Sequence, residues 1–351
     1  MSESLAVVLE RPGSIAVRRI PIPRVPGRSV RVQMRACGIC GSDARYFMGE
    51  NPWSLHTLGR QLPSPPNMVL GHEVSGVVQE PQGERRVAVL AYRSCGRCRY
   101  CRSQRENLCD QMQHFGHSAG WPQMPHYPGG MSEQFEIWEG FAYDIPEAVS
   151  FEQACFLDGL AVAIHAVDLS GLQPGQSFGA IGLGPIGLLA AQVASSRGAS
   201  LVTGCDTSGL PVRLARQVGL EEVIRGDAAA LRRHNGDRKR SLDAVVDTVG
   251  SADSIRDGLG LLEKSGSLVL LAVHEGGISV SPTWFSGERR ILSSANNRYA
   301  DFPRAIELMA SGAIAVEPLI THRFPLAEAQ EAFRVMLHKE QQRAYKVILH
   351  P

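Results

Sequence analysis

Cys95, Cys98, Cys101 and Cys109 fall within fifteen residues, in the run C-G-R-C-R-Y-C-R-S-Q-R-E-N-L-C. Four thiolates at that spacing can wrap around one tetrahedral zinc, each about 2.3 Å from the ion. A shell closed by four thiolates offers no position to a substrate, so this site is expected to be structural and to hold its lobe together. An iron–sulfur cluster takes the same four ligands and is the competing metal. Disulfides are the third option, although cysteines so close in sequence are poorly placed to bridge in pairs. Zinc is the expectation.

A second pattern belongs to phosphate chemistry. Gly182-Leu183-Gly184-Pro185-Ile186-Gly187 follows the apolar run Phe178-Gly179-Ala180-Ile181 and opens a helical stretch. Alone, a G-x-G-x-x-G is an ordinary glycine turn. Between a strand and a helix it becomes a dinucleotide site: the first glycine permits the turn, the second admits a pyrophosphate, and the third lets helix and strand pack closely. Pro185 and Ile186 then open a helix whose free N–H groups and dipole face the phosphates. Asp206 closes the next strand candidate, nineteen residues past Gly187. A carboxylate there accepts hydrogen bonds from both ribose hydroxyls and repels a 2′-phosphate, which predicts NAD over NADP.

Elements able to position these residues are legible around them. Ser29 to Met34 alternates as a half-buried strand, and the Pro- and Gly-rich first part of the chain repeats such short runs, which predicts a β-rich domain over 1–155 with the metal lobe at about 93–112. From 156 to 295 strands and helices alternate: Phe178–Ile181, Leu188–Ser196, Leu201–Asp206, Leu210–Val218, then Ala244–Asp247 and Ser267–Leu271. Alternation of that kind builds a parallel sheet flanked by helices. Residues 296–351 offer helices at Phe302–Met309 and Leu326–Leu337 and a last strand at Tyr345–Leu349. The whole has 351 residues, 44% hydrophobic and 20% charged, enough for two domains with separate cores. A net charge of +1 creates no field that favours nucleic acid or anionic lipid. No apolar stretch reaches the ~20 residues of a membrane helix, the start lacks the pattern of a signal peptide, and a cytoplasmic location is expected.

Cys40, in Ala36-Cys37-Gly38-Ile39-Cys40-Gly41-Ser42-Asp43, and His72, in Leu70-Gly71-His72-Glu73, would each be read as packing if met alone. In one chain with the four-cysteine lobe and the glycine turn, they carry a resemblance. The chain is similar over essentially its whole length to the zinc-dependent medium-chain dehydrogenases, in their polyol (sorbitol) dehydrogenase-like branch. The resemblance implies a two-domain α/β protein: a GroES-like catalytic domain formed by both chain ends, and a Rossmann domain with a doubly wound parallel sheet between them. It implies two zinc ions per chain. Cys40 and His72 become ligands of the catalytic zinc, with Asp158 the preferred third ligand and Glu73 the alternative. It also implies NAD as cofactor, a small-molecule alcohol as substrate, reversible oxidation of a secondary alcohol to a ketone, and a homodimer or homotetramer. The segment Gly276–Pro282 is the β-prone candidate for a subunit edge.

Ser42 matches the hydroxyl with which relatives begin proton release. Where many continue with a histidine, this chain has Arg45, which stays protonated and cannot accept the proton. Five residues past Asp206, where relatives often carry a basic residue, stands Pro211; Arg213 is displaced by two positions. Val273 matches the strand that approaches the nicotinamide, and Asn297 replaces a frequent arginine in the next cofactor-contact strand. Tyr46, Phe47 and Phe115 match pocket-lining positions, with His56 and His117 in nearby loops. A polyol, sugar or sugar-like alcohol is the expected substrate. The rival readings are a threonine-type amino alcohol, a zinc-free quinone or enoyl reductase, a non-enzymatic dinucleotide-sensing protein, and an iron–sulfur carrier.

Overall fold

A computed structural model describes residues 2–58, 61–117, 120–272 and 277–351, without the side chains of 56–58. The chain forms two compact units. One comprises Met1–Asp158, Arg298–Ala310 and Leu319–Pro351; the other comprises Gly159–Asn297 and Ser311–Pro318.

In the first unit, the strand Ser29–Gly38 is the central support of the site. Val32, Met34 and Ala36 alternate into the core as the sequence predicts, while Arg31, Gln33 and Arg35 face away from it. The strand runs four residues beyond Met34 because it gains partners on both sides. Gly38 pairs with Glu73 of the antiparallel strand Glu73–Glu80, and Cys37 pairs with Leu349 of Lys346–His350. The segments bearing Cys40, Glu73 and Lys346, far apart in sequence, thereby become neighbours in one sheet. Its apolar side is filled by residues such as Val74, Phe135, Ile137 and Phe333.

The second unit holds a parallel sheet whose strands, among the described residues, lie in the spatial order Val223–Arg225, Leu201–Asp206, Ser177–Ile181, Leu242–Asp247, Leu262–Leu270, Arg290–Ser293. In chain order this is 3-2-1-4-5-6, the doubly wound dinucleotide-binding arrangement, with its switch between Ser177–Ile181 and Leu242–Asp247. Sheets covered by helices on both faces read as continuous apolar runs, and Ala244, Val245 and Val246 are all fully buried. Two helices of this unit, Ala228–Asp237 and Ala252–Leu261, escape the sequence reading because arginine, histidine, asparagine and glycine blur their apolar faces. Their starts are marked by Asp227 and Ser251, whose side chains accept from the N–H of Ala230 (2.8 Å) and Ser254 (3.0 Å).

The expected return of 296–351 to the first unit is interrupted. Ser311–Pro318 belongs with the second, where the buried Gln192 amide accepts from Ala315 N–H at 2.8 Å and donates to Ala315 C=O at 3.1 Å. A side-chain amide satisfying both backbone groups of one residue pins that segment to the helix Pro185–Ser196.

Candidate active site and metal centres

Cys40 caps the helix Gly41–Phe47, and its N–H donates to Asp43 Oδ2 at 2.9 Å. The other oxygen of Asp43 accepts from Gly71 N–H at 3.1 Å, one residue before His72. A single buried carboxylate thus ties together the two segments that carry the expected ligands. Gly71 is obligatory here, since its φ is +93° and an added Cβ would lie 2.6 Å from the Met131 side chain and 2.8 Å from Cys37 Sγ. His72 is buried, and its Nδ1 has no hydrogen-bond partner among the described residues, with Asp43 Oδ1 3.7 Å away. Burial works against a charge on His72, but Asp43 and Cys40 outweigh it and hold its pKa well above the ordinary value. An imidazole so surrounded by anionic groups is suited to a cation.

Donor atoms of Cys40, His72 and Glu73 all lie within 4.8 Å of one another. A zinc about 2.3 Å from sulfur and 2.0–2.2 Å from nitrogen and oxygen needs donors at such separations, so the set fits the ion. Asp158 stands outside this group of three. Its carboxyl still faces the same charges: burial, with Glu73 and Asp43 behind it, pushes its pKa up to about 6 against the pull of His72 and Lys346.

Lys346, which nothing in the sequence singles out, joins this group. It is buried, ion-paired with Glu73, and sits 5.2 Å over the Phe156 ring. Desolvation lowers its pKa, but Glu73 and Cys40 more than compensate and keep it raised. Gly38 makes room for the pair, because an added Cβ would lie 2.7 Å from Lys346 Cε and 2.8 Å from Glu73 Oε2. Glu73 is thus offered to the metal group and to a lysine at once.

Ser42 is half-buried two residues past Cys40. Arg45 Nε donates to Glu50 Oε2 at 2.5 Å in an ion pair, so its guanidinium is engaged locally where a relay histidine would stand. Phe47 packs on Phe333 and Phe115 on Phe135, ring centroids 5.3 and 5.2 Å apart, so both are core residues. Tyr46 is fully buried, with its hydroxyl 3.2 Å from His117 Nδ1. The side chain of His56 lies outside the described residues.

The four lobe cysteines also bring their sulfurs within 4.8 Å of one another, with Cys98–Cys101 at 3.4 Å and Cys95–Cys101 at 4.0 Å. Four sulfurs on one zinc sit about 3.8 Å apart, given bonds of about 2.3 Å; a cluster would spread them around a multi-atom core. Backbone N–H groups already point at the sulfurs: Cys95 N–H and Gln111 N–H donate to Cys109 at 3.2 and 3.3 Å. The N–H groups of Cys101 and Asp110 bring the Cys98 thiol down to about 6. This is a cage for thiolates.

In the second unit Gly182 has φ +84°, and a Cβ there would meet Thr248 Oγ1 at 2.4 Å. A Cβ on Gly187 would strike Gly182 C=O at 1.9 Å, whereas Gly184 has nothing within 4 Å and leaves its face open to a ligand. Gly184 caps the helix, with Pro185 and Ile186 in its first turn. Asp206 Oδ2 accepts from Leu183 N–H at 2.9 Å and Oδ1 from Ser208 N–H at 2.8 Å, so the carboxylate is clamped beside the glycine turn. A cavity of about 280 Å³ lies there, lined among others by Gly182, Asp206, Thr207 and Ser254. Arg213 is exposed and reaches back to within 3.5 Å of a Cβ built at Gly209; Arg225, not singled out from sequence, comes to 3.9 Å of the same point. Asn297 is buried and donates to Asn296 Oδ1 at 3.2 Å. Val273 lies outside the described residues.

Comparison with known proteins agrees with this geometry. Residues 26–147 match the alcohol dehydrogenase GroES-like domain, and residues 185–311 match the zinc-binding dehydrogenase domain. Sorbitol dehydrogenase of Bacillus subtilis is 27% identical, over 99% of this chain and 97% of its own. D-xylulose reductase A of Aspergillus oryzae is 29% identical, over 95% and 93%. A zinc-binding dehydrogenase of Sinorhizobium meliloti 1021, solved with NADP, is 30% identical and superposes with a TM-score of 0.86 over 100% of both chains. Two family domains in the expected order and relatives aligned from end to end leave one assignment: the chain belongs to the zinc-binding dehydrogenases, in the polyol dehydrogenase-like branch of the medium-chain superfamily, and is a zinc- and nicotinamide-dependent alcohol dehydrogenase.

Proposed function

We propose that the protein oxidises a secondary alcohol of the polyol, sugar or sugar-like class to the ketone, reversibly, with NAD as hydride acceptor. The observation that carries this reading is the convergence of Cys40, His72 and Glu73 donors, in a chain whose Asp206 is clamped beside a glycine turn. Cys40 and His72 would hold the catalytic zinc with one carboxylate. Glu73 is the better placed, and Asp158, preferred from sequence, remains beside it as a charge partner. The bound zinc supplies Lewis acidity that makes an alcohol hydroxyl easier to deprotonate. Ser42 is the first proton acceptor on the chain side. Arg45 stays protonated and paired with Glu50, so it does not take the proton onward as a histidine would, and on this reading the proton leaves Ser42 to water. Reduction of NAD tested against polyols, sugars, inositols, amino alcohols and simple secondary alcohols checks the reading. Turnover confined to amino alcohols would replace the substrate class, and none with any alcohol would remove the function.

Cofactor choice follows from Asp206. We expect NAD to be preferred by at least about tenfold, or roughly 1.4 kcal/mol. Asp206→Gly should lower kcat/KM with NAD and raise it with NADP, helped by the nearby Arg213 and Arg225. Equal use of both cofactors by the wild type would overturn the ribose–carboxylate argument.

A homodimer or homotetramer is part of the proposal. Ile278, Val280 and Phe285 stay exposed within eight residues of chain, half of the large apolar side chains exposed among the described residues. Among the described residues the neighbouring Arg290–Ser293 is the last strand of the parallel sheet, an edge that a partner could pair with. Gly276 of the expected edge segment lies outside the described residues. Light scattering is expected to give at least twice the chain mass; a monomer at micromolar concentration would remove this expectation. A cytoplasmic location is our reading, and among the described residues no helix is long and apolar enough to cross a membrane.

A further inference from the structure

The strand Leu242–Asp247 ends beside Ser177–Ile181 at the switch point of the parallel sheet, where Asp247 pairs with Ile181. Ligands of doubly wound sheets bind outside such strand ends, so the residue after Asp247 stands next to the glycine turn. That residue is Thr248. Its backbone N–H donates to Ile181 C=O at 2.9 Å and continues the ladder past Asp247. The two N–H groups that follow are held by Asp247 itself, which is fully buried. Its Oδ1 accepts from Val249 N–H at 2.7 Å and Gly250 N–H at 3.0 Å, and its Oδ2 from the Ser254 hydroxyl at 2.7 Å. The backbone that carries the Thr248 side chain is thereby fixed on both sides.

Thr248 Oγ1 lies 3.1 Å from Ile181 C=O and 3.2 Å from Gly182 C=O, and its one hydrogen is shared between them. The Gly182 carbonyl is turned toward the start of the helix Pro185–Ser196. A Cβ built on Gly187 would lie 1.9 Å from that oxygen and 3.4 Å from Thr248 Oγ1. Gly184, by contrast, has nothing within 4 Å of its Cβ position and leaves its face to a ligand. The direction of the Gly182 carbonyl matters for charge. N–H groups at a helix start attract a phosphate, whereas a carbonyl oxygen swung toward it would repel it. Valine has nearly the shape of threonine but cannot donate to a carbonyl, so filling space does not account for the hydroxyl.

We propose that Thr248 is a positioning residue for the cofactor: its hydroxyl holds the Gly182 carbonyl inward, so that the glycine turn meets the dinucleotide pyrophosphate with its N–H groups. The proposal rests on the nicotinamide-dependent reading above and adds the residue that sets the turn, 66 positions from Gly182 in sequence. Thr248 acts through Gly182, and no part of the hydride step is assigned to it. Gly182 and Thr248 also constrain one another, since a Cβ on Gly182 would meet Thr248 Oγ1 at 2.4 Å.

Wild type, Thr248→Val, Thr248→Ser and Thr248→Ala are titrated with NADH, ADP-ribose and adenosine, and their thermal midpoints are taken without cofactor. Thr248→Val is expected to weaken NADH and ADP-ribose alike by about fivefold, the worth of one net hydrogen bond. KM for NAD should rise by a similar factor, and kcat should fall by less. Adenosine has no phosphate, and its affinity should not follow. Thr248→Ser keeps the hydroxyl and should bind NADH within about twofold of wild type. Unchanged NADH affinity in Thr248→Val would overturn the proposal. Equal weakening by valine and serine, or adenosine weakened in step with ADP-ribose, would overturn it too, because packing and not the hydroxyl would then be at work. Should Thr248→Val not fold, the contrast between Thr248→Ser and Thr248→Ala isolates the hydroxyl, and equal affinities in those two sink the idea. A wild type that binds neither NADH nor NADPH would remove the nicotinamide reading itself, whereas binding indifferent to the hydroxyl removes the proposal alone.

Discussion

Cys40→Ala is expected to reduce the zinc content from two ions per chain to one and to cut turnover by roughly 10³-fold. Such a loss corresponds to the several kcal/mol that a Lewis-acidic ion contributes to the transition state. The remaining ion should be the one in the lobe of Cys95, Cys98, Cys101 and Cys109. That ion should resist chelators, because four thiolates close its shell and backbone N–H groups from Cys95, Cys98 and Gln111 already point at the sulfurs. Cys109→Ser should behave differently: its cost is read as loss of folded protein, since removing a ligand from a structural site removes folding free energy along with the metal. Elemental analysis and chelator-release kinetics on the two variants separate the centres. Fewer than two zinc ions in fresh, active wild-type protein would defeat the two-centre assignment.

The difference between the two centres also explains what was legible in the sequence. The lobe's ligands all come from one short loop, and spacing alone announces them. The glycine turn is announced by its own pattern between strand and helix, with Asp206 at the end of the next strand, although the atoms that make Gly182 necessary come from Thr248 and Val249, far along the chain. The catalytic group depends instead on sheet register. Cys40 and His72 were singled out only through resemblance, and nothing in the local sequence marks Lys346 as the partner of Glu73, 273 residues away. A lysine at the start of an apolar strand reads as a solvent-facing residue. It is buried here because the pairing of Lys346–His350 with Ser29–Gly38 turns it toward Glu73, and Gly38 leaves the space. Asp43 was passed over for a related reason, since its task of joining Cys40 to Gly71 exists only once the two loops meet. The same holds for Gly116, whose necessity comes from the Gly71 carbonyl and not from its own turn alone.

Lys346→Met is expected to destabilise the zinc-depleted protein by about 3–5 kcal/mol, the usual cost of leaving one member of a buried ion pair alone. Glu73 would then sit at 6% exposure with its lysine gone, and Gly38 and Phe156 offer no replacement donor of charge. Adding zinc should recover much of that loss if Glu73 is a ligand, because a carboxylate freed from the lysine has the ion as its remaining counter-charge. Binding that favours the folded state raises its stability in proportion to the logarithm of affinity, so the zinc-dependent rise in thermal midpoint should be larger in Lys346→Met than in wild type. The double variant Lys346→Met/Glu73→Gln removes both charges. It should regain most of the apo stability and lose the enhanced response to zinc. The competing assignment gives a different pattern. With Asp158 as the third ligand, the zinc response would stay unchanged in Lys346→Met and fall in Asp158→Asn, while Glu73→Gln alone would retain full zinc occupancy. Measuring midpoints with and without zinc across these four variants therefore reads out which carboxylate the metal takes. The contest between Lys346 and the metal for Glu73 sets the sign of the answer.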